Sequence, residues 1–535
     1  MAHIGERSDW LSVFVCAASA VAGLGSSVGL AQTQPPPTVF DTNLAVRTVV
    51  GSGLTMPIGV AFLGSDDMLV IEKASGKVKR IRTQNGVQTS TDALDLAVNS
   101  ASERGLLSIA LHPDFPANPG VYLFWTESST GADSTVLAEV GNPASPYPPG
   151  TPNPFGSRID RFNWDGTALT FDHNLIVLRS YQADPGQPLR GNHNGGVIRF
   201  GVENGSPKLY VVLGDQGRRG QLQNLESGPP KDDVSDGVDL HPNFPNDDQF
   251  GGPEPDAAHL AGVVLRLNAD GSPPQDNPFY AHGTALIQAG QISVGESLQK
   301  VYSYGIRNSF GLAIDPRSGE VWIQENGDDS FSELNRVEPG SNGGWVQVMG
   351  PIARVAEFKA IETGTAPLTA GKYAGMQQIR FPPTLLPDTP EEAMAALFML
   401  PGAFYSEPEF SWRYEIAPGA IGFLAGRALG PQYEADLFMG AAVPVMDGGY
   451  LFHFNLTGNR RKVGVDDPRI ADLVADNLEK HNFAGGTLGI VESESFRFGR
   501  DFGVATDIKT GPNGNLYVVS LNRGAIYEVY RPTKH

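Results

Sequence analysis

Apolar and polar residues alternate with a period of two, in short runs that recur from one end of the chain to the other. In the stretch Met56 to Ile81, a proline and glycine lead into a short alternating strand. A turn at Ser65–Asp67, a second apolar strand, a glycine and a third strand follow. The same order returns at Gly105–Glu127, His193–Asp215, Phe310–Asp329 and Val504–Tyr530, and in a more degenerate form at Pro418–Leu456. Alternation of this period marks half-buried strands, and turns such as Pro512–Asn515 sit where hairpins need them. A unit of three or four strands cannot bury both its faces alone, whereas units packed radially about an axis can. The pattern predicts an all-β fold, a six-bladed β-propeller with loop and short helical insertions, as a single domain over residues 46–535. A pair of β-sandwiches is the alternative; the wide, chain-long recurrence of the unit favours the ring.

Two segments interrupt the pattern. Gly217–His259 is polar and rich in proline and aspartate, a long loop over one face, and loops of that length are usually functional. Thr389-Pro390-Glu391-Glu392, followed by an apolar run, predicts a capped helix with Thr389 at the N-cap, Pro390 at N1 and Glu392 at N3.

Composition narrows the function classes. Of 535 residues, 64 are glycine and 41 proline, as a turn-rich β protein requires. The 59 acidic residues exceed the 39 basic ones, for a formal charge of −20, which disfavours nucleic acid and anionic lipid as partners and suits hard cations. Residues 1–31 read as a secretory signal: Arg7, then an apolar, small-residue stretch from Trp10 to Ala31. Residues 32–45 read as a mature leader. The stretch is also long enough to span a bilayer, but glycine and serine dilute its second half. Cleavage, an exported (periplasmic or secreted) protein and no stable membrane insertion are therefore expected. Cys16 is the only cysteine and falls in that segment, so the mature protein has no disulfide, no thiolate nucleophile and no haem-attachment motif. Any electrons would leave through a separate acceptor.

Candidate chemistry sits at the edges of the repeats. His193 lies in a Gly-rich turn before a strand, and Asp215 ends the next apolar run, so a hairpin would bring them together. A carboxylate beside an imidazole orients it and raises its basicity. A turn histidine bonded to backbone is the bland reading. Arg307-Asn308 stands between a short strand and a blade, where a guanidinium can stabilise negative charge or merely tie blades together. Gln324–Trp345 is an acidic, Gly-rich turn able to aim oxygens at calcium, or simply a solvated turn. P-loop, nucleophile-elbow and His-Glu-x-x-His motifs are absent from the sequence.

In order, the stretches Gly105–Trp125, His193–Gly217, Gly262–Phe279, Tyr304–Trp322 and Glu333–Trp345, with Phe410–Ile421 later, resemble the soluble glucose/sorbosone dehydrogenases that depend on pyrroloquinoline quinone (PQQ). The resemblance spans roughly Leu54 to Tyr530 and is densest from Gly105 to Trp345. It implies a six-bladed propeller with PQQ and calcium at one end of the ring, oxidising an aldose sugar or related alcohol. It further implies His193 as the base, Asp215 as its orienting partner, Arg307 on the charge of the reduced cofactor and Asn308 placing that cofactor. Glu103 would stand near the substrate. Backbone carbonyls of Gly327 and Asp328 would ligate calcium, Glu333 would belong to a second calcium site, and Trp412 and Tyr414 would contact the cofactor.

The chain departs from that family in the cofactor cradle. The family holds the PQQ carboxylates with a lysine and paired arginines in its last two blades. Here Met439–Phe454 contains neither, and the arginines near Gly503–Gly514 are not at the matching positions. Two competing readings follow: a binding propeller without cofactor, and a calcium-dependent propeller hydrolase or lactonase.

Overall fold

The computed structural model describes residues 35–141, 155–180, 192–216, 260–327, 330–345, 347–362, 386–442, 448–477 and 490–533. Among them are six sheets of four to six strands, each grown from an antiparallel meander, and one two-stranded hairpin. Their first strands, in chain order, are Pro57–Gly64, Leu106–Leu111, Val197–Glu203, Leu312–Ile314, Pro418–Phe423 and Ala505–Thr510. Each first strand packs on the first strand of the next sheet, and Ala505–Thr510 returns to Pro57–Gly64. The chain is thus all-β with a β-propeller-like arrangement of sheets, as the alternating pattern predicts.

The hydrophobic core follows the same cycle. Instead of one central mass, apolar clusters fill each gap between neighbouring sheets. Ile71, Leu123 and Trp125 fill the first gap, Phe124 and Leu265 the second, and Val212 and Ile323 the third. Trp412 with Phe452, Phe438 with Val518, and Val519 with Val60 fill the rest. Burying a large apolar side chain is worth about 1.5–3 kcal/mol, so most stabilisation lies between sheets and no sheet stands alone.

Two N-terminal strands tie the ring shut. Ala45–Val50 pairs antiparallel with Ala525–Tyr530 and becomes the outer strand of the last sheet. Thr38–Val39 pairs with Arg497–Arg500 on the sheet before it.

Helices are few and short. Pro390–Ala396 forms as the sequence predicts, with Thr389 Oγ1 accepting from the Glu392 backbone N–H at 3.2 Å. Tyr280–Gln288 and Ile292–Leu298, which the pattern of apolar positions did not announce, sit between two strands of the third sheet. No helix among the described residues is long and apolar enough to cross a membrane. The expected signal at 1–31 and the polar loop Gly217–His259 lie outside the described residues; so does Asp328.

Inside the ring, one carboxylate and the lysine beside it join four sheets. Asp507 accepts from Arg199 Nη2 at 2.6 Å and from the Val60 backbone N–H at 3.0 Å, and lies 3.2 Å from the Lys509 ammonium. That ammonium donates to the carbonyl of Val60 and also reaches that of Ile109 at 3.4 Å. Burial lowers the Lys509 amine to about 8. Removing one partner of a buried ionic group leaves the others uncompensated, so Asp507→Ala should destabilise the protein by about 3 kcal/mol in urea unfolding; a variant as stable as wild type would show that the cluster does not hold the ring.

Candidate active site

The pairing register of the third sheet builds the centre of the site. Val197–Glu203 runs antiparallel to Ser206–Leu213 with Val197 opposite Val212. Continued past its ends, that register carries His193 and Asp215 to neighbouring positions. The backbone closes there through Gln216 N–H to the His193 carbonyl and Asp215 N–H to the Arg307 carbonyl at 2.8 Å. Gly214 makes this approach possible: a Cβ there would stand 2.4 Å from the His193 carbonyl oxygen and 2.7 Å from that of Arg307. His193 itself has φ of +56°, an unusual conformation for a non-glycine residue and one that costs energy.

The side chains complete a buried relay. His193 Nδ1 lies 2.6 Å from Asp215 Oδ1, and Trp345 Nε1 donates to Asp215 Oδ2 at 2.7 Å. Asp215 is 0 % exposed. Burial alone would raise its carboxyl, but His193, the Arg307 charge and the Trp345 N–H outweigh it and hold the group below the usual carboxylate value. An ionised Asp215 can only accept, so Nδ1 must carry the imidazole hydrogen, leaving Nε2 as the basic atom.

Around this pair, Glu103 Oε2 accepts from the His193 backbone N–H at 2.5 Å and from Asn308 Nδ2 at 3.4 Å. Arg307 donates from Nη1 to the Asn326 carbonyl at 2.7 Å, and its guanidinium stacks over the Trp345 ring at 5.4 Å. Glu325 Oε1 accepts from the Arg307 backbone N–H at 2.7 Å. All of these groups stand beside strand ends at one end of the ring. A pocket opens beside them, with Ile58, Leu107, Val197 and Phe310 as apolar walls and Lys73 and Glu103 as charged ones.

Comparison with known proteins decides the family: the Glucose / Sorbosone dehydrogenase model matches residues 54–229 and 247–364. The chain belongs to that family. Among its relatives, the quinoprotein glucose dehydrogenase B of Acinetobacter calcoaceticus is 27 % identical over 309 residues, covering 57 % of this chain and 53 % of the relative. The shared stretch thus spans about half of that relative's length. The aldose sugar dehydrogenase YliI of Escherichia coli K12 is 23 % identical over 394 residues, 74 % of this chain and 76 % of the relative. The solved structure of the soluble aldose sugar dehydrogenase from Escherichia coli in the apo form has 21 % identity and a TM-score of 0.52, covering 91 % of this chain and all of that one.

In this glucose/sorbosone dehydrogenase family member the structure gathers His193, Asp215, Arg307, Asn308 and Glu103 into one group. The other residues singled out from the sequence, Asp328 apart, have these surroundings. Trp412 is fully buried in the core against Phe410, Phe452 and Phe454. Tyr414, also buried, has its ring beneath the Arg413 guanidinium at 5.6 Å. Glu333 lies directly opposite Glu325 across two strands and accepts from Asn335 Nδ2 at 2.8 Å and from the Gly350 backbone N–H. Burial pushes Glu333 up to about 7; burial and the neighbouring Glu333 push Glu325 well above its ordinary value. Gly327 has no room for a Cβ, which would stand 1.8 Å from the Ser330 carbonyl oxygen. Among the described residues no group of three or more His, Cys, Asp and Glu is arranged to hold a metal.

Trp345 is the member that sequence reasoning missed, and its only signal was its place at the end of a Gly-rich turn. Trp345→Phe removes one donor from a buried carboxylate and leaves a smaller aromatic ring in its place. The expected loss is about 1–3 kcal/mol of stability, read by thermal or urea unfolding; an unchanged stability would mean that the Asp215 carboxylate does not depend on this bond.

Proposed function

We propose that this protein is a PQQ- and calcium-dependent dehydrogenase that oxidises an aldose sugar or related alcohol and passes the electrons to a separate acceptor. The observation that carries the reading is the buried His193–Asp215 pair, its tautomer set by an ionised carboxylate, at the edge of an apolar pocket. The ring fold needs neither residue. We further read the six sheets as six blades, supported by the closed cycle of first strands.

The pocket's composition fits a flat quinone bearing carboxylates: Ile58, Leu107, Val197 and Phe310 offer apolar surface to a ring system, and Lys73 offers a cation. Bound PQQ would supply the two-electron acceptor that takes the hydride from the carbinol carbon. The chain's own residues do the rest. His193 Nε2 takes the hydroxyl proton, and the resulting imidazolium is stabilised by the Asp215 carboxylate at Nδ1. Glu103 holds the His193 backbone and stands where a sugar hydroxyl would bind. Arg307, pinned by the Asn326 carbonyl and Trp345, supplies fixed positive charge where negative charge develops, and Asn308 positions the cofactor.

For calcium, the family resemblance assigns the carbonyls of Gly327 and Asp328, with Glu333 at a second site. The adjacent buried carboxylates Glu325 and Glu333, each pushed up, support a cation nearby, since a divalent ion favours the ionised form of both. Export through the signal at 1–31 completes the reading and places the enzyme outside the cytoplasm.

The test is reconstitution. Chelator-stripped protein given PQQ and calcium should reduce an artificial electron acceptor in the presence of aldoses, and should need both additions. Under the same conditions His193→Ala should lower turnover at least about a hundredfold in protein that still folds, with a loss of about 1–3 kcal/mol of stability because the buried Asp215 carboxylate loses a donor. Wild type without PQQ-dependent activity would overturn the reading, and a His193→Ala variant with wild-type turnover would remove the base. Glu333→Gln should make the stripped protein more heat-stable than wild type at pH 8, where the buried wild-type carboxyl (about 7) is ionised, and should blunt the stabilisation that calcium confers. If calcium raises the melting temperature of both proteins equally, Glu333 is no ligand.

A further inference from the structure

One charged group at the pocket has no part in the His193 relay. Lys73 follows the strand Asp67–Glu72 in the first sheet and is only 8 % exposed. It is the one lysine or arginine among the described residues that line the pocket. Its ammonium donates to the backbone carbonyls of Ser100 at 3.2 Å and Ser102 at 3.0 Å, which occupies two of its three hydrogens.

No described carboxylate forms an ion pair with that charge. Among the described residues no carboxylate lies within ion-pair distance of the Lys73 ammonium. Glu103 acts on it only through space, and Arg104 adds a second positive charge nearby. The Glu103 Oε2 atom is already taken by the His193 N–H and Asn308. Burial lowers the Lys73 amine to about 8, so near neutral pH most of it still carries the charge. A buried ammonium bonded only to neutral carbonyls is costly unless an anion joins it. The fold does not require a cation there, because a neutral amide would satisfy the same carbonyls. On the last sheet's side the lining residues are Ala505, Thr506 and Leu521, all uncharged.

We propose that Lys73 is the cationic anchor of the bound quinone, taking one of its carboxylates from the side of the first and second sheets. This rests on the quinone reading above. It resolves the absence of lysine and arginine from Met439–Phe454: the positive charge that a polycarboxylate needs has moved across the pocket.

The probe is PQQ itself, titrated into stripped protein and followed by calorimetry and by quenching of tryptophan fluorescence. Lys73→Gln keeps a donor for the two carbonyls and removes the charge. It should weaken PQQ binding at least about tenfold, Lys73→Arg should stay within about threefold, and the uncharged trimethyl ester of PQQ should bind Lys73→Gln and wild type alike. Should Lys73→Gln fail to fold, the wild-type protein gives the same answer. With Glu103 and Arg104 the charged groups facing Lys73, PQQ affinity should hold up to about pH 8 and fall above it, as the ammonium loses its proton. Lys73→Gln binding PQQ as tightly as wild type, or a wild-type affinity flat to pH 10, would overturn the anchor and leave the quinone reading standing. Wild type that binds no PQQ would overturn both.

Discussion

Ring closure is the constraint on which the molecule rests. Every sheet buries its faces against two neighbours, and the last gap is filled by apolar residues from the two ends of the chain, Val50, Val60, Val519 and Ile526 among them. The pairing of Ala45–Val50 with Ala525–Tyr530 makes that last sheet whole, so the two ends must meet before the last gap is fully buried. Asp507 and Lys509 reinforce the closure from within, linking side chains and backbone of four sheets. Such a ring sets its connecting segments at two ends only, and the groups of the candidate site all lie at one of them.

The site inherits its geometry from that arrangement. Glu103 precedes the first strand of the second sheet, His193 that of the third and Asn308 that of the fourth, while Asp215 and Glu325 close second strands. Neighbouring sheets therefore deliver an imidazole, its carboxylate partner, a guanidinium and an amide to one place with no long-range tuning of any single loop. The price is a buried anion: Asp215 has no exposed surface and stays ionised only because His193, Arg307 and Trp345 converge on it.

How much of this is legible in the sequence depends on the range of each interaction. The alternating strands and the His193–Asp215 pair are local: a hairpin and its register bring residues 22 positions apart into contact, so spacing alone predicts them. The cap at Thr389 is legible for the same reason. Trp345 reaches Asp215 across 130 positions, Arg199 reaches Asp507 across 308, and no periodicity encodes such contacts. Trp412 illustrates the opposite difficulty: an aromatic in a recognisable motif, which the fold buries between two sheets. The proposed cofactor cradle is the least legible part. The sequence shows only that the expected cations are missing from the last sheets, whereas the packing of the first sheet is what sets Lys73 at the pocket.

The central claim is that His193 acts as the proton acceptor in oxidation of a sugar by a quinone bound at this pocket. Its most direct test is an anaerobic single turnover of the PQQ- and calcium-loaded protein, watching the quinone absorbance after mixing with an aldose carrying hydrogen or deuterium at the oxidised carbon. The account predicts rapid bleaching with a primary isotope effect in wild type. In His193→Gln it predicts the same starting spectrum with bleaching slowed at least about a hundredfold. Bleaching of His193→Gln at the wild-type rate, or a wild-type protein whose quinone spectrum is unaltered by any aldose, would contradict it.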